Sequence, residues 1–197
     1  MSALTVFAWP SSVAPAWQDD LLAISTVATV GAPPATARAN MRADIRAAVC
    51  EAAGLLLDVG AERIEVAGTP GSAPRLLVDG AEVGIGISIS HADTISLAVL
   101  HRRGAVGVDL MQIGLPSDWA RVAHDYLGMT AATLLAAALD DARPLAFCRA
   151  WVRREAALKL RGEKLIEATP GSLSDAEGVR FIELALDDGL TGVAAID

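Results

Sequence analysis

The chain has 197 residues, 53% of them hydrophobic, and a formal net charge of -8. That length suits one large domain or two small ones sharing a core, and the acidic balance speaks against nucleic acid as a main partner. No run of 18 consecutive apolar residues offers a membrane span, and the opening MSALTVFAWPSSVAPAW has neither a basic leader nor a long apolar stretch, so a cytoplasmic protein is expected. Cys50 and Cys148 each lie among apolar neighbours. They read as small core residues, not as a disulfide or a zinc site.

Taken in order, LTVFAW (residues 4–9) reads as a strand. DDLLAISTVATV is either a strand or a short helix. Pro33 and Pro34 precede a helix from about residue 35 to 57, with an apolar arc of Met41, Ile45, Ala48, Val49, Ala52, Leu55 and Leu56. Arg38, Arg42 and Arg46 follow one another at i, i+4, i+8 along the rim of that arc. They can snorkel over the core or form an anion cradle. Strands are expected at 62–68 and 75–80, with the loop TPGSAP between them. Ile85, Ile87 and Ile89 alternate with Gly86, Ser88 and Ser90, a period-2 strand. His91 continues the isoleucine parity and is expected on the buried side. TISLAVLH (94–101) completes a hairpin, and AVGVDLM (105–111) follows as a strand. In it Val106, Val108 and Leu110 face one way, and Gly107, Asp109 and Met111 the other. Asp109 is thus an acid inside an apolar strand, with Gly107 clearing space beside it.

Helices are expected at 118–127, at 130–139, and from Pro144 to near Gly162. GVRFIELALDDGLTGVAAID then reads as a strand pair around a DDG turn. At about 100° per residue, Phe147, Cys148, Trp151, Val152 and Leu158 share one arc of the third helix. Arg149, Arg153, Arg154 and Arg161 lie opposite. Glu155 falls in the middle of the apolar arc and Lys159 near its edge. A carboxylate on a core-facing stripe costs several kcal/mol unless something receives it. Glu155 therefore either pairs with Lys159 at i,i+4 or meets a cation from elsewhere. Residues 149–164 carry six basic and two acidic residues, including the only lysines, Lys159 and Lys164. The run is either a solvated face or the neighbourhood of an anionic partner.

His91, Asp109 and Glu155 are thus polar residues in costly places. Two carboxylates from separate elements suggest a hard cation such as Mg2+, and a histidine with arginines suggests a phosphate held beside it. At this point the sequence resembles a known family, the 4′-phosphopantetheinyl transferases, in their larger, surfactin-synthetase-activating class. Val106-Gly107-Val108-Asp109 resembles its strand motif, and Trp151-Val-Arg-Arg154-Glu155-Ala-Ala-Leu-Lys159 its helix motif. Ser88-Ile89-Ser90-His91 resembles its I-S-H segment, and Arg42 to Arg46 and Gly71 to Arg75 its coenzyme-binding helix and loop.

The resemblance implies an α+β fold. It would be a pseudo-dimer of two similar lobes (residues 1–112 and 113–197), each a small antiparallel sheet packed with helices, with the active site in the cleft between them. It implies a monomer that moves the 4′-phosphopantetheine group of coenzyme A to a serine of an apo acyl or peptidyl carrier protein of fatty-acid, polyketide or nonribosomal-peptide synthesis. The expected product is 3′,5′-ADP. Asp109 and Glu155 would hold Mg2+. Arg42, Arg75, Ser90, His91 and Lys159 would bind the coenzyme, and Glu155 would act as base. The alternative is an inactive homologue that binds coenzyme A or the carrier without transferring anything. The departures from the pattern are Met111 where a second acid is usual, Ala73 in place of a loop lysine, and Arg154 in place of a helix lysine.

Overall fold

The computed structural model describes residues 3–11, 13–28, 34–69, 72–167 and 178–197, with the side chains of 34 and 35 left aside. The fold is α+β. Among the described residues the strands are β1 (Leu4–Ala8), β2 (Leu21–Val27), β3 (Ile64–Ala67), β4 (Arg75–Val78), β5 (Ala81–Ala92), β6 (Ile95–His101), β7 (Gly107–Gln112), β8 (Arg180–Ala185) and β9 (Leu190–Ile196). The helices are α1 (Pro34–Leu57), α2 (Trp119–Val122), α3 (Gly128–Ala137) and α4 (Arg143–Arg161). The strands hydrogen-bond in the order β3-β4-β5-β6-β2-β1-β8-β9-β7.

The ambiguous stretch DDLLAIS resolves as β2, and its burial explains the ambiguity. Leu21 to Thr26 are all buried, so the strand is covered on both faces and shows no alternation. Leu22 and Ile24 pack on Ile45 and Val49 of α1. Leu21 and Ala23 pack with Val106, Val108, Leu110, Leu184 and Ile196. Each such fully buried side chain contributes on the order of 2 kcal/mol. An exposed pair such as Arg63–Asp79 is screened by water and contributes little, so apolar burial sets where α1 lies.

Two expectations change. The sheets are not wholly antiparallel: β1 runs parallel to both β2 (Val6 opposite Ala23) and β8 (Leu4 opposite Leu184). The helix expected over 118–127 is α-helical only from Trp119 to Val122, and a π-helical turn, Ala123–Leu127, leads into α3. The point between residues 112 and 113 lies just after β7, whose ladder partner is β9. Pro70 and Gly71 of the TPGSAP loop fall outside the described residues.

Two local features position the site. β7 comes back against β5, where the Val108 N–H donates to Ser88 Oγ at 3.0 Å. α4 lies on β7 and β9, with Val152, Ala156 and Leu160 packed on Val193 and Ala195. Gly162, at φ 68, ends the helix in the left-handed conformation, and the Glu163 N–H closes the turn onto the Leu158 carbonyl at 2.8 Å.

Candidate active site

Asp109 is the centre of the arrangement. It is buried at 8% exposure, on the β7 face that meets α4. Its Oδ1 accepts from Ser90 Oγ at 2.7 Å and from Lys159 Nζ at 2.7 Å. Lys159 also donates to the Val108 carbonyl at 3.0 Å and to Ser90 Oγ at 3.3 Å. An ammonium has three donors, and all of them are directed at β5 and β7. Lys159 thus ties α4 to the strand that carries Asp109.

The sequence expectation gave Gly107 the task of making room beside Asp109. The structure shows what takes the room. A Cβ at Gly107 would lie 1.8 Å from the Ala156 carbonyl oxygen and 2.6 Å from the Leu160 nitrogen. The glycine admits the α4 backbone itself, which is how the helix comes close enough for Lys159 to reach Asp109.

Glu155 lies one turn before Lys159 and is half-buried. Burial pushes its carboxyl up from 4.5, the charge of Asp109 pushes the same way, and Lys159 and Arg154 pull back without cancelling the rise. Among the described residues no hydrogen bond reaches this carboxylate. Two carboxylates of which one, Asp109, raises the cost of ionising the other, Glu155, with oxygen donors only, suit a hard dication that keeps solvent or phosphate oxygens for its other positions. Among the described residues no group of three His, Cys, Asp or Glu is placed to hold a metal. Met111, at the place of a second acid, packs in the apolar clusters under α4. The donor set fits Mg2+ held by two protein ligands and does not fit a soft-metal site.

The serine and isoleucine parities of β5 serve opposite faces. Ser88 and Ser90 are buried against β7, whereas Ile87 and Ile89 pack toward α1. His91 shares the isoleucine parity, but at the strand's end it is exposed, contrary to the expected buried position. It lines a cavity of about 280 Å³ with Arg42, Arg46, Thr69 and Ser72. Arg46 also donates to the Val66 carbonyl, which fixes it against β3. Arg42 is exposed and makes no ion pair among the described residues. Arg38 is exposed on α1, and Arg75 is exposed with Glu82 at 3.5 Å.

A second cavity, about 480 Å³, shares Ser72, Pro74 and Ile89 with the first and reaches Lys159, Glu163 and Lys164. Together they run from Arg42 on α1 to the end of α4, with His91 and Lys159 along the way. Ser72 and Lys164 were not singled out from the sequence. For Lys164 a signal existed, since it is one of only two lysines.

Local burial, then the charges of Arg42, Lys159 and Arg46, hold His91 below its ordinary 6.5. Its neutral ring is therefore the form the fold favours. The unfolded chain binds the proton more readily, so the stability tied to His91 is complete above pH 6.5 and is lost as pH falls from there toward the lowered pKa. Denaturant titrations at pH 7.5 and 5.5 should show a loss of stability on acidification that is smaller in His91→Gln than in the parent chain.

Two comparisons with known proteins bear on this segment of the chain. Residues 105–191 match the family model of the 4'-phosphopantetheinyl transferase superfamily. That segment holds Asp109, Glu155 and Lys159. The chain is also 25% identical over 126 residues to the 4'-phosphopantetheinyl transferase HetI of a Nostoc species. The similarity covers 59% of this chain and 53% of that protein, so the chain spans about half the length of the curated relative it matches.

Proposed function

We propose that this chain is a Mg2+-dependent 4′-phosphopantetheinyl transferase of the larger, two-lobed class, divided near residue 112. It transfers the 4′-phosphopantetheine of coenzyme A to a serine of an apo acyl or peptidyl carrier protein. The observation that supports this best is the convergence of Asp109, Glu155 and Lys159 inside the matched segment, with Lys159 lining a cavity that adjoins the one holding Arg42 and His91.

In this reading Arg42 and His91 bind the 3′-phosphate end of the coenzyme, with Ser90 and Lys159 toward the pyrophosphate and Arg75 at the loop. Asp109 and Glu155 would hold Mg2+, which when bound neutralises charge on the pyrophosphate. The carrier serine oxygen bonds to the β-phosphorus, and the bond from that phosphorus to the bridging oxygen breaks. 3′,5′-ADP leaves, and the serine proton passes to Glu155, directly or through a water. A raised pKa makes Glu155 a stronger base than an ordinary carboxylate. Arg149 and Arg153 are exposed on α4 and would favour an acidic carrier, Arg153 while sharing its charge with Glu183 at 2.9 Å. The protein would act as a cytoplasmic monomer.

The test is a mass measurement. Incubated with Mg2+, coenzyme A and a panel of apo carriers of the fatty-acid, polyketide and nonribosomal-peptide types, the protein should add the phosphopantetheine mass to at least one. No gain on any carrier would overturn the transferase reading. Tight coenzyme A binding by calorimetry, indifferent to Mg2+ and without transfer, would instead identify a binding homologue.

A further inference from the structure

β5 and β6 form a tight hairpin, turning at Asp93 (φ 45). Its register places Ser96 directly opposite His91. Ser96 is completely buried, and its Oγ lies 2.8 Å from His91 Nδ1 and 3.5 Å from the carbonyl oxygen of Met41 on α1. A hydroxyl carries one proton and two acceptor positions. The carbonyl is at the outer limit of a hydrogen bond and the imidazole nitrogen is at the ideal distance, so the proton goes to Nδ1. A neutral ring that accepts at Nδ1 carries its own proton on Nε2. Nδ1 is occupied on the strand side, which leaves Nε2 as the ring nitrogen for the cavity that His91 lines beside Arg42.

We propose that Ser96 is a positioning residue: its hydroxyl donates to His91 Nδ1 and presents Nε2–H, next to Arg42, as a hydrogen-bond donor to a phosphate of the coenzyme. The choice of ligand rests on the function proposed above; the ring geometry does not. The same hydroxyl serves both protonation states. When the ring is neutral, Ser96 donates to it. When a bound dianion draws a second proton onto the ring, Nδ1–H donates to Ser96 Oγ, and the serine proton turns to the Met41 carbonyl. Nε2–H remains the cavity-side donor throughout. The anchor is well chosen, because Met41 immediately precedes Arg42. One buried hydroxyl thus connects the strand that carries the histidine with the helix turn that carries the arginine.

The chain contains its own comparison. His101 has Nδ1 at 3.1 Å from the Ala105 carbonyl oxygen. A carbonyl only accepts, so the neutral His101 ring must carry its proton on Nδ1. Nitrogen–proton correlation spectra of the histidine-labelled full chain above pH 7, assigned by His91→Gln and His101→Gln, should therefore show opposite tautomers for the two rings. Ser96→Ala should move His91 alone to a mixture. A parent spectrum with the His91 proton on Nδ1, or a His91 signal unchanged in Ser96→Ala, overturns the proposal.

Calorimetry gives the second readout. Ser96→Ala should weaken coenzyme A about five-fold, the worth of one hydrogen bond, and leave dephospho-coenzyme A unchanged. In a His91→Ala background the same substitution should have no further effect, because Ser96 acts through the ring. An equal loss in both backgrounds would make Ser96 merely structural and sink the assignment. If the parent chain bound no coenzyme A, the coenzyme reading would fall, and the spectra would still decide the role of Ser96.

Discussion

Glu155→Gln is expected to reduce phosphopantetheine transfer by about a thousand-fold, within the range that a positioned general base supplies, and to leave the fold at least as stable as before. The two halves of this prediction come from one observation. The folded protein disfavours the ionised form of Glu155 through burial first and the charge of Asp109 second. A group whose pKa is raised on folding costs stability once the pH exceeds its unfolded value, here 4.5, and the cost grows until the pH passes the folded value. At pH 7 the neutral glutamine, nearly the same shape, removes that cost and, on the proposed function, removes the base together with a metal ligand. A variant that is more stable and inactive is the signature of a site held in a strained charge state for function. The bland alternative, a Glu155–Lys159 pair that pins the helix, predicts the reverse sign. Lys159 does pull the Glu155 pKa down, but less than burial and Asp109 raise it. Its close contact is with Asp109 at 2.7 Å. Transfer rates and denaturant midpoints measured at pH 7 on the same preparation separate the two. A Glu155→Gln protein that is destabilised and still active would reverse the assignment.

Gly107→Ala is expected to be a severely damaging single methyl. The added carbon would stand 1.8 Å from one backbone atom of α4 and 2.6 Å from another. Backbone of a packed helix cannot rotate aside as a side-chain tip can. α4 must move off β7 or the strand must bend, and overpacking of this kind costs about 3 kcal/mol. The same displacement separates Lys159 and Glu155 from Asp109. A shift near 1 Å at a reacting centre costs about a hundred-fold in rate. Thermal unfolding should therefore show a large drop in midpoint, and any folded fraction should transfer far more slowly per molecule. Gly192→Ala provides the contrast on the neighbouring strand. There the nearest atoms are the flexible end of Leu186 at 3.0 Å and the Asp109 carbonyl oxygen and Leu110 Cβ at 3.1 Å, none as close as the α4 backbone is to Gly107, so a smaller loss is expected. Equal effects at the two glycines would count against the close approach of α4.

Much of the site could be read in advance because burying charge is expensive. An acid in the apolar strand 105–111 and another on the apolar arc of 144–162 are anomalies visible without coordinates, and both residues lie at the centre of the arrangement. What could not be read was which surface covers each face. The alternation Ile-Ser-Ile-Ser in β5 resembles a half-exposed strand, yet Ser88 and Ser90 are buried and His91 is open. The serines face another polar group instead of water, and periodicity cannot distinguish those. The parallel seam at β1 was equally hidden, because pairing between residues as distant as Leu4 and Leu184 leaves no local pattern. The role of Gly107 was half legible: space was expected there, but its occupant belongs to a helix that begins some way along the chain. Lys159 was expected to bind a phosphate oxygen. That its donors also tie Asp109, Ser90 and the Val108 carbonyl together is set by three-dimensional neighbours alone.

The strand order carries a consequence for the timing of synthesis. β7 holds Asp109, and its ladder partner is β9, where Asp109 stands opposite Val193. β1, made long before β8, waits for it on one side. On the ribosome His91, Asp109, Glu155 and Lys159 all emerge before the ladder that secures β7 can form. Closing so long a loop is slow relative to local helix and hairpin formation. A nascent chain would thus carry these four residues of the candidate site without its assembled frame until β8 and β9 are out. Competence to bind ligands would arrive in a single late step, with the β8–β9 hairpin.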